Sequence, residues 1–167
     1  MAQHSRDHSK TVPPARTATE MTWIVMPGQC NSLGSVFGGQ VMAWIDVCAA
    51  VAAQRFCGRD VVTASMDSLS FRGPIGLGEV AVIRAQVNWA GHTSIEVGCR
   101  VEAEDPKIGE RRHTSTAYLT FVALDNARKP VGVPRLAVES ETEIRRFAQA
   151  IERRAIRLNA RIRQSSS

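Results

Sequence analysis

The sequence predicts an α+β fold in which a mainly antiparallel sheet wraps one long apolar helix, with a second helix near the C-terminus. Three observations predict it. Apolar residues recur at helical spacing from Val41 to Phe56, alternate with a period of two from Val61 to about Leu124, and return to helical spacing after Ser140. With 167 residues, 44% hydrophobic and 22% charged, the chain makes a single domain that can bury a core without metal or disulfide staples.

The polar, proline-containing opening, residues 1–19, reads as a disordered arm. It has no apolar core of the kind a secretory signal needs, which points to a cytoplasmic protein. Met21 to Met26 reads as a short strand broken by Pro27-Gly28, and a loop rich in Gly, Ser and Asn follows. Val41, Ile45, Cys48, Ala49, Ala52 and Phe56 then mark one stripe of a helix that Gly58 can end. Residues 61–71, 81–89, 95–103 and 113–124 read as four strands, and Ala90-Gly91-His92 turns a hairpin between the second and third. Successive strands are expected to be neighbours. Ser140 with Glu143 forms a capping-box pattern, and Ile144, Phe147, Ala148, Ile151, Ala155, Leu158 and Ile162 supply an apolar helical stripe. The folded domain therefore spans residues 20–136, and residues 137–167 form a C-terminal amphipathic helix and tail.

Charge and cysteine usage exclude several classes of function. The formal net charge of +5 invites a nucleic-acid reading until the charges are located. Residues 1–19 carry three basic and one acidic residue, residues 139–167 seven and four, and the segment between them eleven of each. A neutral body carries no basic groove, so no nucleic-acid partner is expected. The near-uncharged run Val41 to Ala53 is well short of the roughly 18–20 apolar residues of a membrane span, so no membrane partner is expected either. Cys30, Cys48, Cys57 and Cys99 show no metal or redox spacing and read as mostly buried thiols, with no metal site.

Within the first helix Asp46 is the only ionisable residue of an otherwise apolar run. A carboxylate without partners is costly to bury, so Asp46 needs a polar cavity, a charged partner or an interface; the bland alternative is a helix face open to solvent. Phe37-Gly38-Gly39 offers no side-chain cap, which leaves first-turn amides free to hold an anion or oxyanion. The same glycines also permit close helix packing. Asn31, in the preceding loop, can orient water or polarise a carbonyl, or simply form a turn. Asp67 is a second candidate carboxylate, read first as an outward strand residue. Gly76-x-Gly78 leads into a strand where a dinucleotide motif requires a helix.

Taken together, Met26-Pro27, Asn31-x-x-Gly34-x-x-x-Gly38-Gly39, Trp44-Ile45-Asp46, Phe71 to Ile75, Gly91 to Ser94 and Thr120 to Asp125 resemble the hotdog-fold acyl-CoA thioesterases over roughly residues 20–136. The resemblance implies a hotdog fold, a homodimer with active sites at the dimer interface, and further assembly, here expected as a trimer of dimers. It implies hydrolysis of acyl-CoA thioesters with no cofactor beyond the coenzyme A of substrate and product. Asp46 matches the family's catalytic carboxylate, as general base or nucleophile, and Asn31 its asparagine, donated by the other subunit. Gly38 and Gly39 amides match the groups that hold the thioester oxygen. For coenzyme A, the resemblance implies Arg72 and, by the path of the pantetheine arm, Gly91, His92, Thr93 and Ser94, with Arg135 as a further phosphate contact. Two rivals are a non-enzymatic acyl-CoA sensor and an enoyl-thioester hydratase or dehydratase, although residues 27–57 lack the histidine that such hydratases place by the central helix.

Overall fold

The computed structural model describes residues 10–165. Its elements are β1 (Thr11–Val12), a 3-10 turn (Pro14–Thr17), β2 (Thr19–Ile24), a second 3-10 turn (Pro27–Gln29), α1 (Gly38–Cys57), β3 (Asp60–Phe71), β4 (Val80–Ala90), β5 (Ser94–Glu104), β6 (Arg111–Leu124), β7 (Arg135–Leu136) and α2 (Glu141–Ser165). β2, β4, β5, β6 and β3 form one antiparallel sheet in that order. α1 lies on one face and α2 on the other, giving the expected hotdog arrangement with an added C-terminal helix.

The alternation seen in the sequence sorts the two faces. Ile83, Val97, Cys99, Leu119 and Phe121 point inward and are buried against Ile45, Cys48, Ala49, Ala52 and Phe56 of α1. Alanines at three buried positions of α1 (Ala49, Ala52, Ala53) let the helix lie close to the sheet. The helix ends as expected, with Gly58 in the left-handed region at φ 63° and its amide on the Gln54 carbonyl.

Three expectations are corrected. The strand after α1 does not neighbour the next strand in sequence. β3 crosses to the far edge and pairs with β6, because the connection Arg72–Glu79 carries the chain over the end of α1. Of the arm expected to be disordered, residues 1–9 lie outside the described residues, and residues 10–19 are ordered. β1 pairs with β7, and the buried Thr17 hydroxyl donates to the Pro14 carbonyl (2.7 Å) and accepts the Val87 amide (3.0 Å).

The third correction concerns α2. The capping box is present, with Ser140 Oγ accepting the Glu143 amide and the Glu143 carboxylate accepting the Ser140 amide. The stripe carrying Ile144, Ile151, Leu158 and Ile162 faces outward, however, and the helix meets the sheet through Phe147, Ala150, Arg153 and Arg157. Charge decides this orientation. Glu96, 1% exposed, accepts hydrogen bonds from Arg153 at 2.7 and 3.3 Å, and Asp67 is bound by Arg157, Ser65 and Thr120. Buried carboxylates on the outer sheet face require those cations. Asp67 is thus neither solvent-facing nor free for catalysis.

Candidate active site

α1 is not enclosed on every side within one chain. Met42, Ala43 and Val47 are exposed, and Asp46 sits half-buried among them. The sheet curls around the rest of the helix and leaves this strip open beside the edge strand β3. Thr63, on β3, turns its hydroxyl onto Asp46 and donates to Oδ1 at 2.7 Å. Thr63 faces inward because it pairs with the inward Phe121, and the register shifts between Thr63 and Ser65 immediately afterwards. A second shift between Met66 and Ser68 accompanies Asp67 on the opposite face. These bulges break the alternation on which the sequence reading of this strand relied.

At the start of α1, Phe37 provides no side-chain cap, and the first helix-type bonds run from the Gln40 and Val41 amides to the Phe37 carbonyl. The amides of Gly38 and Gly39 donate to no group among the described residues, and both glycines are exposed. The phenyl ring of Phe71 would lie 3.4 Å from a side chain at Gly38, and the space around Gly39 is open. Asn31 shapes the preceding loop. Its Oδ1 accepts the amides of Leu33 (2.9 Å) and Ser35 (3.3 Å) and the Ser35 hydroxyl (3.3 Å), so the turn-forming role is real and the amide nitrogen is left over for other work.

The remaining expected residues fall into two groups. Arg72 is exposed, and its amide donates to the Thr114 carbonyl at 2.7 Å, near the N-terminus of α1. Gly91 to Ser94 form the β4–β5 turn, where Gly91 is required because a side chain there would meet the Trp89 ring at 2.5 Å. The carbonyl of exposed His92 accepts the Val133 amide, which places Arg135, two residues on, beside this turn. Thr114 and Val122, the latter opposite Ser94, are eight strand residues apart on β6, or about 26 Å. A single chain therefore does not gather Arg72 with Gly91–Ser94 and Arg135. Nor does it bring the free amides to Asp46, since Gly38 lies eight residues up the same helix, a rise of about 12 Å.

A larger cavity, about 510 Å³, lies on the outer sheet face beneath α2, but its arginines are engaged: Arg84 with Glu20 and Glu102, Arg100 with Glu102, and Arg146 with Gln86. Among the described residues no cluster of His, Cys, Asp or Glu is arranged to hold a metal ion. Among the described residues no helix is long and apolar enough to cross a membrane. Chemistry thus concentrates along the open strip of α1, where one carboxylate, one hydroxyl and two free amides face outward.

The family model of the thioesterase superfamily matches residues 33–110. The uncharacterized acyl-CoA thioester hydrolase YkhA of Bacillus subtilis is 43% identical over 135 residues, covering 81% of this chain and 78% of that protein. The chain belongs to the hotdog-fold acyl-CoA thioesterases. Among solved structures, the acyl-CoA hydrolase of Staphylococcus aureus in complex with butyryl-CoA, coenzyme A and coenzyme A disulfide superposes with a TM-score of 0.88 at 33% identity, over 94% of this chain and 96% of that one. An apo-hexameric acyl-CoA thioesterase superposes with a TM-score of 0.87 at 36% identity, over 90% and 97%. The Staphylococcus enzyme has also been solved with an Asn, an Asp or a Thr replaced by Ala, at positions spaced 15 and 17 residues apart in that order. Asn31, Asp46 and Thr63 stand in the same order and at the same spacing in this chain, and Thr63 is not among the residues the sequence singles out. The signal for it was a hydroxyl on the inward face of a strand whose other inward residues are mostly apolar.

Proposed function

We propose that this thioesterase hydrolyses acyl-CoA thioesters at a site completed by two copies of the chain, without a cofactor. The observation that carries the proposal is Asp46, held by Thr63 in an open apolar strip two helical turns from the free amides of Gly38 and Gly39. A reacting centre needs oxyanion donors about 3 Å from the carbonyl oxygen and a base within reach of the same carbonyl, directly or through one water. One chain separates them. Pairing β3 with the same edge of a second copy in antiparallel fashion sets the Phe71 end of one strand beside the Thr63 end of the other. That single two-fold brings the amides of one chain towards the carboxylate of its partner. It also brings the Arg72 end of one chain towards the Gly91–Ser94 and Arg135 end of the other, where they jointly face the coenzyme A.

In this arrangement the thioester oxygen takes hydrogen bonds from the Gly38 and Gly39 amides as negative charge develops on it, and Asn31 positions water or carbonyl through its amide nitrogen. Asp46 takes a proton from water as the hydroxide adds to the carbonyl carbon. Collapse breaks the carbon–sulfur bond, the thiolate leaves as coenzyme A and acquires a proton, and the carboxylic acid is released. Direct attack by Asp46, forming an anhydride that water then opens, uses the same groups. Asn31, Asp46 and Thr63 repeat the order and spacing of the residues substituted in the Staphylococcus enzyme, which supports the assignment. The exposed edge of β3 supports the dimer, and the hexameric relative supports its assembly into a trimer of dimers.

The test is thiol release from a panel of acyl-CoAs by wild type, Asp46→Asn and Asn31→Ala proteins. Both variants are expected to lose most activity, and mixed dimers of the two to regain part of it. Binding without turnover by wild type would instead make the protein an acyl-CoA sensor. Verified mixed dimers that stay inactive would place both groups in one chain's site.

A further inference from the structure

The outer face of the sheet, away from α1, carries the cavity of about 510 Å³ beneath α2. A glycine makes room for it. Gly98 lies on that face of β5, and a side chain there would meet Asn88 Nδ2 at 2.4 Å. Asn88 stands where the β4–β5 register shifts between Val87 and Trp89, and such a bulge re-aims a side chain, here across Gly98. Asn88 is 5% exposed, yet its side chain makes no hydrogen bond among the described residues. Its oxygen and nitrogen are nevertheless open to a water-sized space, because the one sealed and unpaired side-chain polar atom among the described residues is Ser115 Oγ. Asn88 walls the cavity beneath α2, and a neighbouring crevice that it also touches is too narrow for water. A leucine at this position would pack without polar cost, whereas a buried amide without a partner is penalised.

The charges around the cavity are almost all matched. Arg84 pairs with Glu20 and Glu102, and Arg100 with Glu102. Arg146 of α2 differs. Its one partner among the described residues is the neutral Gln86 amide, whose Oε1 accepts from Nη1 at 2.9 Å. Glu143, one turn earlier on α2, accepts the Glu139 and Ser140 amides instead and makes no ion pair with Arg146. Arg146 therefore has further N–H groups to donate into the cavity that the Asn88 amide also faces. One guanidinium without a countercharge suits a singly charged anion, whereas a phosphate ester would bring nearly two charges against Glu20. The planar fork of a guanidinium matches a carboxylate, and the Asn88 amide adds a further donor. The Tyr118 ring, 3.6 Å from the Arg153 guanidinium, and the stems of Arg84 and Arg100 supply apolar wall for a short alkyl group. The volume lies in the range of small-molecule sites.

We infer that the cavity beneath α2 is a binding site for a short-chain carboxylate, with the carboxylate accepting hydrogen bonds from Arg146 and from the Asn88 amide nitrogen and the alkyl part lying against Tyr118. None of these residues belongs to the proposed reaction site, which lies along α1 on the opposite face of the sheet, so the inference stands independently of the proposed hydrolysis. A ligand held by Arg146 on α2 and Asn88 on β4 ties the helix to the sheet, and binding to the folded chain alone stabilises it.

The experiment is titration calorimetry of the full chain with sodium butyrate and sodium hexanoate, and separately with sodium phosphate, at constant ionic strength, in wild type, Arg146→Gln and Asn88→Ala. Wild type is expected to bind the acids saturably and to melt at a higher temperature as their concentration rises. Each variant is expected to raise Kd about tenfold or more, the loss of one hydrogen bond to a charged group. Asn88→Asp, which keeps the shape and repels a carboxylate, reads the same loss if the alanine variant does not fold. Asp46→Asn, altered on the opposite face of the sheet, is expected to bind like wild type. Absence of saturable binding of either acid, an affinity unchanged in Arg146→Gln or in the Asn88 variant, or an equal loss in Asp46→Asn overturns the inference. Arg146-dependent binding of phosphate in preference to both acids overturns it as well.

Discussion

Thr63→Val removes the hydroxyl that reaches Asp46 Oδ1 over 2.7 Å and keeps the shape of the side chain. A hydrogen bond to a charged group contributes about 1.5–3 kcal/mol. Thr63 is exposed in the single chain, so water can replace part of the bond, and the lower figure, about tenfold in rate, is the minimum expected. If a second copy excludes water from the strip, the upper figure applies and the loss approaches about 150-fold. In the proposed site the bond orients the carboxylate rather than holding coenzyme A, so the loss is expected in kcat with KM little changed. Steady-state thiol release measures both, and Thr63→Ser, which keeps a donor at the same atom, should restore most of the rate. A Thr63→Val enzyme with kcat within about twofold of wild type, or a Thr63→Ser enzyme as slow as the valine variant, would refute the orienting role.

Two further outcomes follow from ion pairs that hold the scaffold around the site. Arg153→Ala strands the Glu96 carboxylate beneath α2; breaking such a pair costs about 3–5 kcal/mol, or a fall of about 6–20 °C in thermal midpoint for a chain of this size, whereas Arg153→Met with Glu96→Leu should melt close to wild type at the same protein concentration. Glu79 accepts hydrogen bonds from Arg112 and from the Gly76 amide (2.6 Å), and the Arg112 guanidinium holds its carboxyl below the ordinary value of 4.5 against the opposing effect of partial burial. The unfolded chain then binds the proton more readily, so this contribution is complete above about pH 4.5 and is lost as pH falls towards the lowered folded value. Glu79→Gln should therefore flatten the acid limb of stability against pH below about 4.5, and an unchanged limb in urea titrations would remove Glu79 as a contributor.

The periodicity that sorts inward from outward residues made the central helix, the strands of the sheet and the capping box of α2 legible, because each depends on neighbours in sequence. What failed depended on distant partners. Sequence order places β3 next to β4, yet a chain that must pass over the end of α1 delivers β4 to the far side of the sheet, beside β2, and leaves β3 at the opposite edge. The face presented by α2 differs from the expected one for a related reason. Its apolar stripe is the stronger pattern, but Glu96 and Asp67 already occupy the outer sheet face, and leaving them without Arg153 and Arg157 costs more than exposing isoleucines. Nothing local to residues 141–165 reveals where those carboxylates lie.

The candidate site was legible in a different way. An apolar helix with one carboxylate implies either burial all round or a face awaiting cover, and α1 presents the second: Met42 and Val47 are 40% and 51% exposed on either side of Asp46. An apolar strip left open to water on a helix whose other sides are packed is the surface cost of a single chain, and it disappears when a second copy covers the strip. The same cover would strengthen the Thr63 bond to Asp46 by excluding competing water, and would oppose it to amides that no side chain of its own chain caps. In the proposed site the residue types supply the parts of the reaction, while their spacing within one chain keeps those parts too far apart to react. Assembly is thus a condition of catalysis in this reading, and activity should fall with the fraction of paired chains on dilution.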